Sequence, residues 1–550
     1  MNSQLSFDPF TLEIIASQLR AAAREMFVAL GRASQSPIIY EVLDYACGLT
    51  DSRGQLVAEA EGIPGFIGVL GDAVQAILRK HGSGLNPGDI FITNDPYDGG
   101  GSHLSDVALI APFFFDGQLV AFGVNKSHWT EVGGMAAGSW TTDATEIYQE
   151  GLLFPAIKLH DRGEPIQSLF DLIAVNVRTP AMTLGDLRAG VAALKVTQER
   201  AVGLCEKYGA QAVQAAIERL LDQGQRAARS RLATLPPGTY RASGFLDNDG
   251  LTADPVPIQV AVTVTPDEFI CDFTGSAPQT RGPINTTLSS LGASCKSIFK
   301  AIIDPWMPTN DGVFHPLRVI APPGCVFNAQ RPAPVSTYWE SSDYATDLVW
   351  RALAEIVPDR LSAGHSLSVC GTIVAGEDER GQPWILVEPQ PGGWGASQWE
   401  DGESGLVVAG DGETYNIPVE VAETRFPIRV ERYTLNRDGA GAGRRRGGFG
   451  LIREYRILAE NGAELTASFG RHKFPPWGAA GGHEGSVNAV EVFDGGRLLF
   501  RRGKVTRHKL KTGDLVRLIT GTGGGWGRTE EREKELIERD LREGYVSNRG

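Results

Sequence analysis

The stretch Asp89-Ile90-Phe91-Ile92-Thr93-Asn94-Asp95-Pro96-Tyr97-Asp98-Gly99-Gly100-Gly101-Ser102-His103-Leu104-Ser105-Asp106 decides how this chain is read. Its first five residues are a short apolar run that reads as a strand. The loop behind them is rich in glycine and aspartate. It ends in an imidazole and a carboxylate three residues apart, His103 and Asp106. Such a loop buries little apolar area and has few packing reasons to carry a histidine. Residues 105–128 then read as a β-hairpin around Asp116-Gly117. Asp106 lies just before its first strand and His128 just after its second, so both reach the same open end. An isolated acid, Asp44, lies in the apolar run 38–49, where a charge is costly to bury unless paired or metal-bound. Asp44, His103, Asp106 and His128 are therefore candidate ligands of one mixed nitrogen and oxygen site for Mn, Zn or Fe. Asp95 and Asp98 read as turn formers.

Outward from this motif the chain divides by texture. Asp8-Pro9 is a helix start, a capping acid followed by proline in the first turn. Ile15, Leu19, Ala22, Met26 and Leu30 give that helix one apolar face. Residues 37–61 read as two strands joined by Asp51-Ser52-Arg53-Gly54, and 67–81 as a helix. Residues 166–232 form the only long helical block, with a break at Tyr208-Gly209. Beyond Pro236-Pro237-Gly238, short β runs alternate with Gly and Pro turns, interrupted by one helix near 341–357. The charged tail, 529–543, carries Leu536, Ile537 and Leu541 on one stripe and reads as a surface helix. The expected class is α+β with several subdomains. A mixed α/β part (1–165) is followed by a helical block (166–235), a β-rich and glycine-rich part with one internal helix (236–528), and a charged tail (529–550).

The formal charge of −14 over 550 residues argues against broad binding of nucleic acid or anionic membrane. The basic runs 444–446 and 501–511 read as a solvated turn and a solvated hairpin. Six scattered cysteines include no C-x-x-C pair, which fits a reduced cytoplasmic protein. No signal peptide is visible, and the longest apolar run, 107–115, is strand length. No glycine-rich loop has the spacing of a phosphate-binding loop, so tight turns are their default reading. No G-x-S-x-G elbow is present. Glu146 and Glu150, flanking Tyr148, are candidate proton acceptors, with an exposed turn as the plainer alternative.

These residues closely resemble the hydantoinase B/oxoprolinase family over essentially the whole chain. The landmarks occur in order: Asp95-Pro96-Tyr97 through Asp106, then Tyr148-Gln149-Glu150-Gly151-Leu152, Asn176-Val177-Arg178 and Gly185-Asp186-Leu187-Arg188. They continue with Asp272-Phe273-Thr274-Gly275-Ser276, Gly392-Gly393-Trp394-Gly395-Ala396, Asn416-Ile417-Pro418-Val419-Glu420, the run from Gly443 to Gly450, and Gly523-Gly524-Gly525-Trp526-Gly527. The resemblance implies one subunit of an ATP-dependent, hetero-oligomeric enzyme. Its partner would be a hydantoinase A-type ATPase subunit, with an actin-like fold, that binds ATP and phosphorylates the substrate oxygen. This chain would then open a cyclic amide such as 5-oxoproline, a hydantoin or another lactam. In metal-bearing relatives the ligands map onto Asp44, His103, Asp106 and His128. Arg178 and Arg188 are candidates for binding phosphate or a substrate carboxylate, with helix salt bridges as the alternative. Gly190, where many members carry Gln, and Trp526, where Tyr is usual, depart from the pattern and leave the substrate open. Carboxylation of a ketone, as in related carboxylases, is the second reading; the chain is shorter than the large carboxylase subunits. A non-catalytic scaffold is the third.

Overall fold

The computed structural model describes residues 7–546, and the hairpin lies at its centre. Strand Asp106–Phe115 pairs antiparallel with Gln118–His128, and Asp106 stands directly opposite His128. Asp116 and Gly117 both take positive φ, 48° and 74°, in the two-residue turn whose twist suits the flanking strands. The sheet is antiparallel throughout. Its order is Leu56–Glu59, Tyr45–Asp51, Gln118–His128, Asp106–Phe115, Ile90–Thr93, Ile157–Asp161, Glu164–Pro165.

Helices cover both faces of this sheet. Val107, Leu109, Ala111 and Phe113 join the core formed with helices Pro9–Ala33 and Pro180–Tyr208. Ala108 and Ile110, pointing the other way, meet helix Leu70–His81. That is why residues 107–115 are apolar without alternation. Asp8 caps the first helix, accepting from Thr11 N–H at 3.1 Å. The helical block appears as Gln167–Asn176, Pro180–Tyr208 and Ala210–Leu232, broken at Gly209.

A second core joins a four-stranded sheet, Gly238–Leu246, Val256–Val264, Phe269–Asp272 and Leu317–Ile320, to helices Leu288–Ile303 and Trp339–Leu353. Two further sheets follow. One orders Pro383–Glu388, Gly371–Glu377, Ala463–Ser468 and Lys504–Leu510. The other orders Ile428–Asn436, Gly450–Ile457, Leu515–Ile519, Ala489–Asp494 and Arg497–Arg502. The three late glycine-rich stretches interlock as bare backbone: Gly448 N–H donates to Trp394 O at 2.8 Å and Gly523 N–H to Gly448 O at 2.9 Å. A Cβ on Gly523 would stand 1.8 Å from Trp394 O. Among the described residues, no helix is long and apolar enough to cross a membrane.

Four expectations need correction. Residues 37–40 are a helical turn, not strand, because Pro37 fixes φ at its first position; the strand starts at Tyr45. The β-rich part holds three helices, Leu288–Ile303, Trp339–Leu353 and Val419–Arg425, so 166–232 is not the only long helical block. Leu291, Cys295, Ile298 and Ile302 carry the helical spacing in the first of these, but the serines among them resemble a loop. The 501–511 run is not a hairpin: Arg497–Arg502 and Lys504–Leu510 belong to different sheets, and the chain crosses at Gly503. Arg446 is buried rather than solvated, with Asp540 at 3.4 Å. The tail forms the expected surface helix, Lys534–Arg542, with Ile537 and Leu541 exposed, and ions hold it: Arg532 bonds Asp401 at 2.8 and 2.9 Å and Asp540 at 2.6 Å. The outer limits of the expected segments, 1–6 and 547–550, lie outside the described residues.

Candidate metal centre

His103, Asp106 and His128 each offer a ligand atom, and those atoms lie within 4.8 Å of one another. All three are buried. The Asp106–His128 pair comes from hairpin register; His103 comes from the glycine loop, which is pressed against its surroundings. A Cβ on Gly101 would stand 2.4 Å from Asn94 O. Asp44 sits where the chain enters the adjacent strand. Its carbonyl accepts from His128 N–H at 3.0 Å, and its side chain lines the same cavity. That cavity is about 40 Å³, closed by Tyr338, Trp339, Trp140 and Phe66. It has room for an ion and a small number of waters.

Hydrogen bonding orients the donors. His103 Nδ1 donates to Ser336 O at 3.0 Å, since a carbonyl can only accept. Nε2 then faces Asp106 Oδ1 at 2.9 Å. A neutral ring in this tautomer aims a lone pair at a carboxylate, an arrangement a proton or a cation must bridge. A backbone carbonyl on the distal nitrogen is also the usual support of a metal-bound imidazole. His128 Nδ1 is buried with no hydrogen-bond partner among the described residues. Ser102 Oγ donates to Asp106 Oδ2 at 2.5 Å.

The electrostatics agree. Burial raises the Asp106 carboxyl, but His103, Lys126 and His128 outweigh it and hold the group well below the usual carboxylate range. Burial, then His103, lowers His128 to about 3, so its ring is neutral. Burial and repulsion from Asp106 and Asp411 push Asp44 well up, against Lys126. Lys126 lies behind the cluster and donates to Gly100 O at 2.8 Å and Asp106 O at 3.2 Å. Burial lowers it to about 8, opposed by Asp106 and Asp44. Asp411, also on the cavity wall, is raised to about 7 by burial and by Asp106. Three carboxylates against one ammonium leave two negative charges when ionised. The donor set thus fits a divalent ion.

Lys126, Asp411, Tyr338 and Trp339 were not singled out from sequence. Lys126 had the signal used for Asp44, a charge in an apolar strand. Asp411 had none: it sits in a distant turn, Ala409-Gly410-Asp411-Gly412. The remaining candidates do not line the cavity. Glu146 is exposed and caps the turn Ile147–Gln149. Glu150 is buried and accepts from Val335 and Ser336 N–H, each at 2.9 Å, which positions the Ser336 carbonyl on His103. Burial pushes Glu150 up to about 8, against those donors. Arg178 pairs with the buried Glu131 at 2.8 Å and donates to Gly134 O at 2.9 Å. Arg188 is exposed on helix Pro180–Tyr208. Asp95 does form a turn, accepting from Tyr97 N–H at 3.0 Å, and also pairs with Arg331 at 2.7 Å.

The chain has counterparts elsewhere. A protein of Pseudomonas sp. (strain NS671), provisionally named as the B subunit of a D-/L-hydantoinase, is 32% identical, matching 98% of this chain and 93% of its own length. The beta subunit of caprolactamase from Pseudomonas jessenii is 30% identical, matching 98% and 94%. The crystal structure of ATP-dependent caprolactamase from that organism superimposes with a TM-score of 0.91 at 28% identity, covering 98% of this chain and 95% of that one. The nucleotide-free structure of acetone carboxylase gives 0.90 at 20% identity, covering 98% and 78%, and so shares the fold. The model of one family, described as hydantoinase B/oxoprolinase, matches residues 8–529. With that span matched almost end to end, the chain belongs to the hydantoinase B/oxoprolinase family.

Proposed function

We propose that the chain is the B (β) subunit of an ATP-dependent cyclic-amide hydrolase. The observation that carries this reading is the His103, Asp106 and His128 cluster in a chain whose relatives are named as the B subunit of a hydantoinase and the beta subunit of caprolactamase. Both names speak of a subunit, which supports a partner; we assign it the ATP chemistry, as a hydantoinase A-type ATPase.

An amide ring resists water because resonance stabilises its C–N bond. Phosphorylation of the amide carbonyl oxygen by the partner would remove that resistance and leave an electrophilic ring carbon. His103, Asp106, His128 and Asp44 would hold a divalent metal, Mn, Zn or Fe, which would supply a Lewis acid for water and for phosphate oxygens. Ser336 O keeps His103 in one tautomer, and Glu150 keeps Ser336 in place. Lys126 restrains Asp106 from behind. Asp411, on the cavity wall, takes the proton-accepting role that Glu146 and Glu150 are too remote to fill. Tyr338, Trp339 and Trp140 keep bulk water out.

The test is ATP turnover by the chain reconstituted with its partner ATPase, against 5-oxoproline, hydantoins, N-methylhydantoin, caprolactam and aryl ketones. Ring opening coupled to phosphate release is the expected result. A bicarbonate requirement, with its carbon in the product, would replace this reading with the carboxylase one. Full activity from complex lacking metal would instead leave the chain a scaffold.

A further inference from the structure

A much larger chamber, about 610 Å³, backs onto the metal cavity. Two chain segments separate the two spaces. Phe66 lines the metal cavity while Pro64, Ile67 and Gly68 line the chamber. Asp411 lines the metal cavity while Ala409 and Gly412 line the chamber. Gly65 N–H donates to Gly410 O at 3.0 Å and ties the segments into one partition, a single layer of chain.

The chamber is mostly apolar, walled by Ile67, Ile298, Phe314, Trp350, Trp394 and Val408. Both indoles are fixed. Trp350 Nε1 donates to Ser362 O and Trp394 Nε1 to Val407 O, each at 2.9 Å, and their rings meet edge to face at 5.8 Å. Buried His365 packs beside both, 4.9 Å from Trp394 and 5.5 Å from Trp350. Burial lowers His365 to about 4, so the aromatic wall is uncharged. One edge of the chamber is polar. Glu59, Thr309 and Lys300 line it together, and the Lys300 ammonium donates to Pro305 O at 2.8 Å. Glu61 and Glu413 add two exposed acids.

A small lactam ring holds its amide cis, so N–H and C=O lie along one edge. An acceptor beside a donor matches that edge, and fixed indoles match a ring substituent. The volume falls within the roughly 300–1,000 Å³ of small-molecule sites. We propose that this chamber binds a cyclic amide carrying a bulky apolar substituent, its amide edge on Glu59, Thr309 and Lys300 and its substituent against Trp350 and Trp394. The class of occupant rests on the cyclic-amide reading above; the chamber is a binding site, and ring opening stays in the metal cavity across the partition. Three carboxyls, Glu59, Glu61 and Glu413, face two ammonium groups, Lys296, held by Gly68 O at 2.8 Å, and Lys300, so the added carboxylate of 5-oxoproline is disfavoured by an excess of like charge.

Calorimetric titration of the full chain with 5-phenylhydantoin, hydantoin and 5-oxoproline tests this. The phenyl compound should bind at least about tenfold more tightly than hydantoin, and 5-oxoproline most weakly. Ala301→Phe projects into the chamber from helix Leu288–Ile303 and should weaken the phenyl compound by at least about tenfold, with metal content unchanged. Ser297→Leu, one turn earlier on the same lining face, should do the same should the larger residue impair folding. His103→Ala should leave the affinity within about twofold. Failure of the phenyl compound to bind, equal affinities for all three compounds, or a loss in His103→Ala but in neither filling variant would overturn the assignment. Binding is read here without ATP or partner. Failure of the functional reading would look different: intact binding with no ATP-dependent ring opening by the complex.

Discussion

The loop Gly99–Gly101 and the late web around Gly448 and Gly523 have the same composition and opposite uses. In the first, glycines let the backbone approach Ala73 and Asn94 so closely that His103 and Asp106 are thrust into one cavity. In the second, backbone packs on backbone, and the charged groups Arg446, Asp401, Arg532 and Asp540 pair with each other to dock the tail helix. Glycine richness therefore says only that chains come close. What they deliver decides whether the place is a site or a joint.

The sharpest way to break this contrast is His103→Ala. Metal by elemental mass spectrometry should fall to background, and ring opening by the complex should drop at least about a hundredfold, with the fold retained. Metal and rate kept in that variant would make the first loop a joint as well. Next is Gly523→Ala, whose Cβ would meet Trp394 O at 1.8 Å. It should cost about 3 kcal/mol or more in urea unfolding, while the folded fraction keeps its metal. Metal loss at unchanged stability would exchange the roles of the two regions.

Arg178→Ala sharpens the boundary of the first region. Glu131 would be left buried on only its two backbone donors, Gly133 and Gly138 N–H, at about 2 kcal/mol of stability with KM unchanged. A raised KM at constant stability would put the guanidinium on substrate. The last test reads a change of slope with pH. Glu150 is raised from 4.5 to about 8, so between those values the folded chain keeps a proton the unfolded chain has lost. Its stabilising contribution is full below about pH 4.5 and is lost as pH rises through 8, by up to about 1.4 kcal/mol per unit. Glu150→Gln, which still accepts from Val335 and Ser336, should flatten the melting temperature between pH 5 and 8. An unchanged slope would show that another group titrates.

Much of the candidate site was legible because it is local. Asp116-Gly117 fixes a turn, the turn fixes register, and register brings Asp106 to His128; His103 is three residues away. Asp44 was legible as a misplaced charge. Asp411 and Tyr338 were not, since their arrival depends on how the second core packs against the first sheet, which no short-range pattern encodes. The same limit hid the burial of Arg446, whose counter-charge Asp540 lies in the tail, and the crossing at Gly503, where two β runs that look like one hairpin part company. Helix Leu288–Ile303 failed for a different reason: its apolar spacing was present, but the intervening serines spoke for a loop.

The opposition of Asp106 and His128 has a consequence for how the protein matures. The turn that sets it lies at the far end of the hairpin, and a slip by one residue would swing a ligand to the other face of the sheet. Uptake of the proposed ion would then act as an inspection step, admitting only chains whose strands have zipped correctly and leaving misaligned ones unloaded.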